Sequence, residues 1–276
     1  MHHHLSRNVF FLLMVSSVVL ILIHGPSSSS ADDYSDCGKL FECGDIRGIG
    51  YPFWGSSRPR KCGHPNFYLK CTNNVPQISI FDEDYLVLHI DNTTHTIKAV
   101  RADYQSDVCP GTEFRNTTMD TRLFNYTSAT EELRLFYTCS SVQQFTSVPN
   151  QFDCGGTVNY FLTHDQIAGQ SYIQPNGVQV LLRDCERNVW VQVFRSEATI
   201  LQVTTGSKDN LIRAVSAGFN LSWNANNTLC DDCLRNNNRC GYKHASNQFA
   251  CYLPGIGEGH APTEVRGVND PNLIKY

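Results

Sequence analysis

The chain has 276 residues, 12 cysteines and a formal net charge of −4, with 17% charged and 41% hydrophobic residues. That hydrophobic share is enough for a core and excludes a disordered chain. The mildly acidic balance argues against nucleic acid as the main partner, which usually needs a basic field. The length allows one large domain or two small ones.

Residues 1–31 read as a secretory signal peptide. His2, His3, His4 and Arg7 make a weakly basic start, and residues 9–23 form an unbroken run of apolar and small side chains. That run is too short to span a hydrocarbon core of about 30 Å. Ser28, Ser29, Ser30 and Ala31 then supply the small side chains of a cleavage site. The opposing reading, an uncleaved anchor, conflicts with the helix-breaking Gly25-Pro26 pair. No later window nears 18 apolar residues, so no transmembrane helix is expected beyond the leader, and the chain is expected in an oxidising, extracellular space.

In the run 66–71, Phe67, Leu69 and Cys71 alternate with Tyr68 and Lys70, the period of a strand with one face in a core. Ile78 and Ile80 share a face in the next run, and Leu86, Leu88 and Ile90 share one in the run after. Asp91-Asn92-Thr93-Thr94 is a polar turn and 96–100 a β-rich return, a hairpin with Asn92 at its tip. Residues 109–151, rich in Thr, Asn and Ser, read as a connector with one strand, where Leu133, Leu135 and Tyr137 alternate. Residues 157–162, 178–182, 189–194 and 199–204 read as strands. Over 207–217, Leu211, Ile212 and Val215 take helical spacing, with Ser207 or Asp209 to cap the start and Gly218 to end it. Phe219, Leu221 and Trp223 then alternate with Asn220 and Ser222, which places Asn220 on the outward face of a strand.

The fold expected is mainly β: two small disulfide-rich β modules, the second with one short helix. The boundaries are signal peptide 1–31, first module 32–110, connector 111–150, second module 151–254 and a Gly- and Pro-rich flexible tail 255–276. All the cysteines follow the leader: Cys37, Cys43, Cys62, Cys71, Cys109, Cys139, Cys154, Cys185, Cys230, Cys233, Cys240 and Cys251. Cys230-x-x-Cys233 with Cys240 and Cys251 has zinc-ligand spacing, but export favours disulfides. No metal or cofactor is expected, and the pairing stays open. Small modules have modest cores, and each disulfide closing a loop of about 15 residues adds about 3 kcal/mol in the chain-entropy model. Five Asn-x-Ser/Thr sequons, at Asn92, Asn116, Asn125, Asn220 and Asn226, fit a glycosylated exported surface.

No metalloprotease, nucleophile-elbow, P-loop or kinase catalytic motif is present. The acids Asp82-Glu83-Asp84 and Asp231-Asp232 are adjacent, whereas a glycosidase needs two carboxylates facing each other across a bond. His64, His89, His95 and His164 have no triad partners in the sequence. A binding protein is expected, not an enzyme.

The segment from Cys43-Gly44 through Tyr51-Pro52-Phe53-Trp54, then Cys62-Gly63 to Cys71, resembles the galacturonan-binding module of plant wall-associated receptor kinases. It looks closest to the leaf-rust-resistance type. The runs Tyr85–Ile90 and Arg101–Tyr104, ending at Cys109-Pro110, agree with it. A second block, Gly218 to Trp223, Cys230-x-x-Cys233, Arg239-Cys240-Gly241-Tyr242 and Phe249-Ala250-Cys251, resembles the C-terminal module of the same receptors. Leu253 stands where that module usually has a second cysteine, which leaves its last disulfide open. Family members usually continue into a membrane helix and a kinase domain, and the resemblance carries neither onto these residues. It implies binding to pectic galacturonan, or a role in defence perception as a soluble receptor that takes a peptide or pairs with a membrane receptor kinase.

Galacturonan is a polyanion of sugar rings, so a binder needs cations and flat apolar faces. Between Cys37 and Arg101 there are eight Lys/Arg against six Asp/Glu, a positive module in a negative chain. The candidate ligand residues are Tyr51, Trp54, Arg58, Arg60, Lys61, His64, Lys70 and Arg101. The competing reading makes 51–54 a core strand beneath the Cys43 and Cys62 links, and Lys70 and Arg101 ordinary strand-face charges.

Overall fold

A computed structural model describes residues 30–109, 111, 114–139, 150–168, 185–203 and 207–255. All but the last two residues of the expected leader, the expected strand at 178–182 and the tail beyond Gly255 lie outside the described residues.

A helix, α1 (Ser30–Gly38), leads into a short hairpin, β1 (Phe41–Cys43) and β2 (Ile46–Ile49). Next come β3 (Leu69–Thr72), β4 (Val75–Ile80), β5 (Glu83–Asp91) and β6 (Thr96–Arg101), each antiparallel to its neighbour. Asn73 and Asn74, both at positive φ, turn β3 into β4, since Asn tolerates the left-handed region. At the next tip but one, the Asp91 carboxylate accepts from the backbone N–H groups of Thr93 and Thr94. The sheet does not stop at β6. Its order is β3-β4-β5-β6-β12-β7, where β7 is Phe124–Tyr126 and β12 is Phe219–Trp223. Phe219 lies opposite Ala99 and Leu221 opposite Tyr126, so a strand from segment 151–254 fills the slot between strands from segments 32–110 and 111–150.

The inner face of this sheet carries Leu69, Ile78, Tyr85, Val87, Ile97, Ala99, Phe219, Leu221 and Trp223, packed with Ile49, Phe53 and Phe67. Phe53 is fully buried, edge-on to Phe67 and Trp223. The expected common face of Leu86, Leu88 and Ile90 is broken. Val87 pairs with Ala99 but His89 pairs with Lys98, so Leu88 is the extra residue of a bulge. Before it Tyr85 and Val87 point into the core, after it Ile90 does, and Leu88 stays 38% exposed.

A second sheet has the order β11-β8-β10-β9, with β8 Thr130–Cys139, β9 Gln151–Cys154, β10 Thr157–Thr163 and β11 Cys185–Phe194. Leu133, Leu135 and Tyr137 of β8 and Val189, Val191 and Val193 of β11 form a face covered by α3 (Arg195–Val203) and α4 (Lys208–Ser216); a short α2 (His164–Ala168) follows β10. Tyr104 and Val108, from just after β6, are buried in this second core. The α4 helix is the expected one: Ser207 Oγ accepts from Asn210 N–H at 3.2 Å, and Leu211, Ala214 and Val215 are buried. Residues 199–203 of the strand expected at 199–204 are instead the body of α3, and Thr204 lies outside the described residues. Ala198 and Leu201, one helical step apart, are both buried, and Thr199 Oγ1 donates to the carbonyl of Arg195. Burial of that stripe overrides the β preference of Thr and Ile.

The described residues end with α5 (Asn227–Arg235), also unforeseen, and the hairpin β13 (Arg239–Lys243) and β14 (Gln248–Tyr252). All the cysteines are paired: Cys37–Cys62, Cys43–Cys71, Cys109–Cys154, Cys139–Cys185, Cys230–Cys240 and Cys233–Cys251. The zinc reading of the last four is thereby removed, because bridged sulfurs offer no thiolate. Cys251 bridges without help from position 253, where Leu253 is exposed. The fold is mainly β and disulfide-rich as expected, with more helix than the single one foreseen.

Candidate functional site

The candidate residues of the 51–64 loop separate into buried and surface groups. Arg58 is 3% exposed. It donates from Nε to Phe53 O at 3.2 Å, from Nη1 to Cys37 O at 2.9 Å and to Lys39 O, and from Nη2 to Cys62 O at 3.1 Å. Burial lowers its pKa to about 10, still well above neutral pH, so it stays a cation there, with the carbonyls taking four of its five N–H donors. Arg101 is 2% exposed, bidentate to Asp103 at 3.0 and 2.7 Å and 3.2 Å from a Glu83 carboxylate oxygen. Both arginines are therefore withdrawn from the ligand role expected of them, since a polymer at the surface cannot reach them.

Lys61 is held by Asp33 at 2.7 Å and Asp36 at 3.0 Å, two carboxylates on α1 that raise its pKa and cancel its charge outward. Tyr51 is half-buried, edge-on to Phe249, and burial pushes its hydroxyl pKa up. His64 sits between Phe67 and Tyr242, and its Nδ1 accepts from Asn66 N–H at 3.3 Å. Burial pulls its pKa down to about 4, with the nearby His244 acting the same way.

Three candidates remain at the surface. Trp54 is half-buried, its indole N–H bonded to His64 O at 2.9 Å. A Cβ at Gly63 would fall 2.6 Å from the Trp54 ring and 2.7 Å from Pro52 O, so only glycine allows the indole to lie there. Arg60 is exposed, with its guanidinium 5.9 Å from the Trp54 ring centroid. Lys70 is exposed on β3. Neither Arg60 nor Lys70 makes an ion pair among the described residues.

Two further residues belong with them. Tyr68, 47% exposed, bridges to Trp54 through the backbone and lies 4.6 Å from it, ring to ring. Lys70 follows two residues on, on the same outward face, about 7 Å along the strand. His244, on the turn after β13, stands edge-on to Trp54 at 6.5 Å and bonds Arg60 O at 2.9 Å. Tyr68 was legible as the outward partner of Phe67 and Leu69; His244 left no sequence signal, because it arrives from 184 residues away. The assembled face is an aromatic pair, Trp54 and Tyr68 with their rings tilted 46° to each other, flanked by Arg60 and Lys70.

A cavity of about 640 Å³ lies elsewhere, beside the β4–β5 tip, lined by Asp82, Glu83, Asp84, Asp103 and Arg115. Its excess of carboxylates repels a polyanion. Of the adjacent acids there, Glu83 is ion-paired to Arg101 and Asp84 accepts from Ser79 Oγ at 2.6 Å.

Residues 37–101 match the family model described as wall-associated receptor kinase galacturonan-binding, and residues 151–255 match wall-associated receptor kinase C-terminal. The chain belongs to the extracellular part of the wall-associated receptor kinase family. Among its relatives in Arabidopsis thaliana, the leaf rust 10 disease-resistance locus receptor-like protein kinase-like 2.5 is 33% identical over 243 residues, 84% of this chain and 36% of the relative. The 2.1 member is 28% identical over 222 residues, 78% of this chain and 33% of the relative. This wall-associated-type chain thus spans about a third of the length of these relatives. No solved structure matches it. The matched segments are receptor ectodomain modules and not catalytic ones. Among the described residues, no helix is long and apolar enough to cross a membrane.

Proposed function

We propose that this ectodomain binds de-esterified pectic galacturonan through the face built by Trp54, Tyr68, Arg60 and Lys70. The observation that carries the reading is Arg60 beside the Trp54 ring: an unpaired exposed cation against a flat apolar surface, the two chemistries a uronic acid presents in reverse. Uronate carboxylates meet the cations while sugar ring faces lie against the Trp54–Tyr68 pair. Exposed charge contacts are each worth about 1 kcal/mol or less and are screened by salt, so the polymer has to engage several repeats at once. The description of the 37–101 family model supports the ligand class. The leader at 1–31 and the sequons at Asn92, Asn116, Asn125, Asn220 and Asn226 support a secreted glycoprotein at the cell wall; Asn92, Asn116, Asn125 and Asn226 have exposed side chains and Asn220 a half-buried one.

The test is retention of the oxidised chain on immobilised polygalacturonate, with fully methyl-esterified pectin as control. Binding that weakens with rising salt and drops for Arg60→Glu with Lys70→Glu supports the reading. Absent or salt-insensitive retention overturns it.

A second reading is capture of a peptide, or pairing with a membrane receptor kinase, in defence perception. It draws on a groove of about 370 Å³ lined by Leu40, Tyr51, His95, Asp231, Leu234 and Arg239, where Leu40 and Leu234 are exposed. Crosslinking from Leu234→Cys in plant tissue separates the readings, because a polysaccharide leaves no protein adduct there.

A further inference from the structure

We infer that the binding face is composite: the C-terminal hairpin supplies His244 as a positioning residue for Arg60, so the galacturonan-binding segment is complete only with that hairpin docked. The inference rests on the reading above and deepens it.

The contacts run across the two matched segments. A carbonyl oxygen only accepts, so the 2.9 Å contact between His244 and Arg60 O makes Nε2 of His244 the protonated nitrogen and the donor. The bond holds the backbone of the residue whose guanidinium lies by Trp54. The His244 ring also walls Trp54 edge-on at 6.5 Å and packs on Tyr242 at 5.3 Å, which in turn packs on His64 at 4.9 Å. The hairpin sits directly on the short turn Arg60–Cys62: a Cβ at Gly241 would fall 2.6 Å from Lys61 O. Phe249 on β14 closes against Tyr51 at 5.5 Å. The arginine that flanks Trp54 is therefore placed by residues that the first segment does not contain.

A positioning role differs from a structural one in its coupling to Arg60. The full oxidised chain is compared as wild type, His244→Leu, His244→Gln, Arg60→Ala and the Arg60→Ala/His244→Leu double variant. Affinity for a purified de-esterified oligogalacturonide is measured by calorimetry and the thermal midpoint by scanning calorimetry. His244→Leu is expected to weaken binding roughly fivefold, about the worth of one exposed charge contact. His244→Gln is expected to bind nearly as wild type, since its amide N–H can reach the same carbonyl. The double variant is expected to bind no worse than Arg60→Ala alone, the signature of two residues acting as one unit. If wild type binds and His244→Leu binds equally well, or its loss adds in full to that of Arg60→Ala, the composite face is wrong while the ligand reading stands. If wild type itself does not bind, the ligand reading falls and takes this inference with it.

Discussion

The guanidinium of Arg58 donates from Nη2 to the carbonyl oxygen of Cys62 at 3.1 Å. Its Nη1 donates to the carbonyl of Cys37, the other half of the same disulfide, so one buried cation ties together the backbone at both ends of a covalent link. Two residues away, Arg60 is exposed and faces a tryptophan. Neighbouring arginines thus have opposite duties, and they are expected to fail differently. Arg58→Gln leaves buried carbonyls without donors and is expected to lower stability by roughly 2–4 kcal/mol. Arg60→Gln is expected to stay within about 0.5 kcal/mol of wild type while losing retention on polygalacturonate. Urea unfolding alongside resin retention measures both.

Gly63→Ala places a methyl group 2.6 Å from the Trp54 ring and 2.7 Å from Pro52 O. The backbone oxygen cannot move aside cheaply, so the indole must. A loss of about 1–3 kcal/mol is expected, the usual cost of overpacking. Tryptophan fluorescence should shift, and retention should fall together with it. An unchanged emission spectrum with wild-type stability would contradict the packing described.

The folded pKa of His64, about 4, lies below the ordinary imidazole value of 6.5, so the unfolded chain binds the extra proton between these values. The contribution is fully present above pH 6.5 and is lost as pH falls toward 4. Protonation also removes the Nδ1 acceptor that Asn66 N–H uses. Thermal midpoints are therefore expected to drop from pH 7 to pH 4.5 by more in wild type than in His64→Asn, which has no proton to take up there. Equal drops in the two proteins would count against a neutral, half-buried His64.

Residues 37–101 expressed alone are expected not to hold the native sheet. They lack β12, and with it Phe219, Leu221 and Trp223, while the edge of β6 is left unpaired. Broad amide proton shifts and aggregation are the expected outcome; a well-dispersed spectrum from the isolated segment would show that β12 is dispensable.

Replacing Cys233 and Cys251 together by serine opens the bridge that closes the hairpin onto α5, with a sequence separation of 18. A destabilisation near 3 kcal/mol is expected from loop entropy. Because that hairpin carries His244, the affinity for galacturonate should weaken as well, which calorimetry on the folded fraction reads directly.

Much of the fold was legible along the chain. The alternation of Phe67 and Leu69 with Tyr68 and Lys70 gave β3 and its inward side, and Ser207 with the Leu211–Val215 spacing gave α4 with its cap. The pairing of every cysteine followed from the even count and the expected export, though not which with which. The failures have local causes. A single bulge at Leu88 moved the core side of β5, and a buried stripe of Ala198 and Leu201 turned an apparent strand into helix. The site was legible as a basic, aromatic loop, but not which of its arginines faces water. Arg58 and Arg60 carry the same side chain, and what separates them is where carbonyl groups from residues 37, 39, 53 and 62 converge.

Taken alone, the order of residues determined composition, most strand and helix periods, the family and the chemical character of the candidate face, because each is written in nearest neighbours and short spacings. Tertiary structure alone decided that β12 inserts between β6 and β7, that Arg58 and Arg101 turn inward, and that His244 reaches Arg60. These depend on contacts between residues far apart in the chain, which exist only once hydrophobic burial and disulfide closure have brought distant segments together.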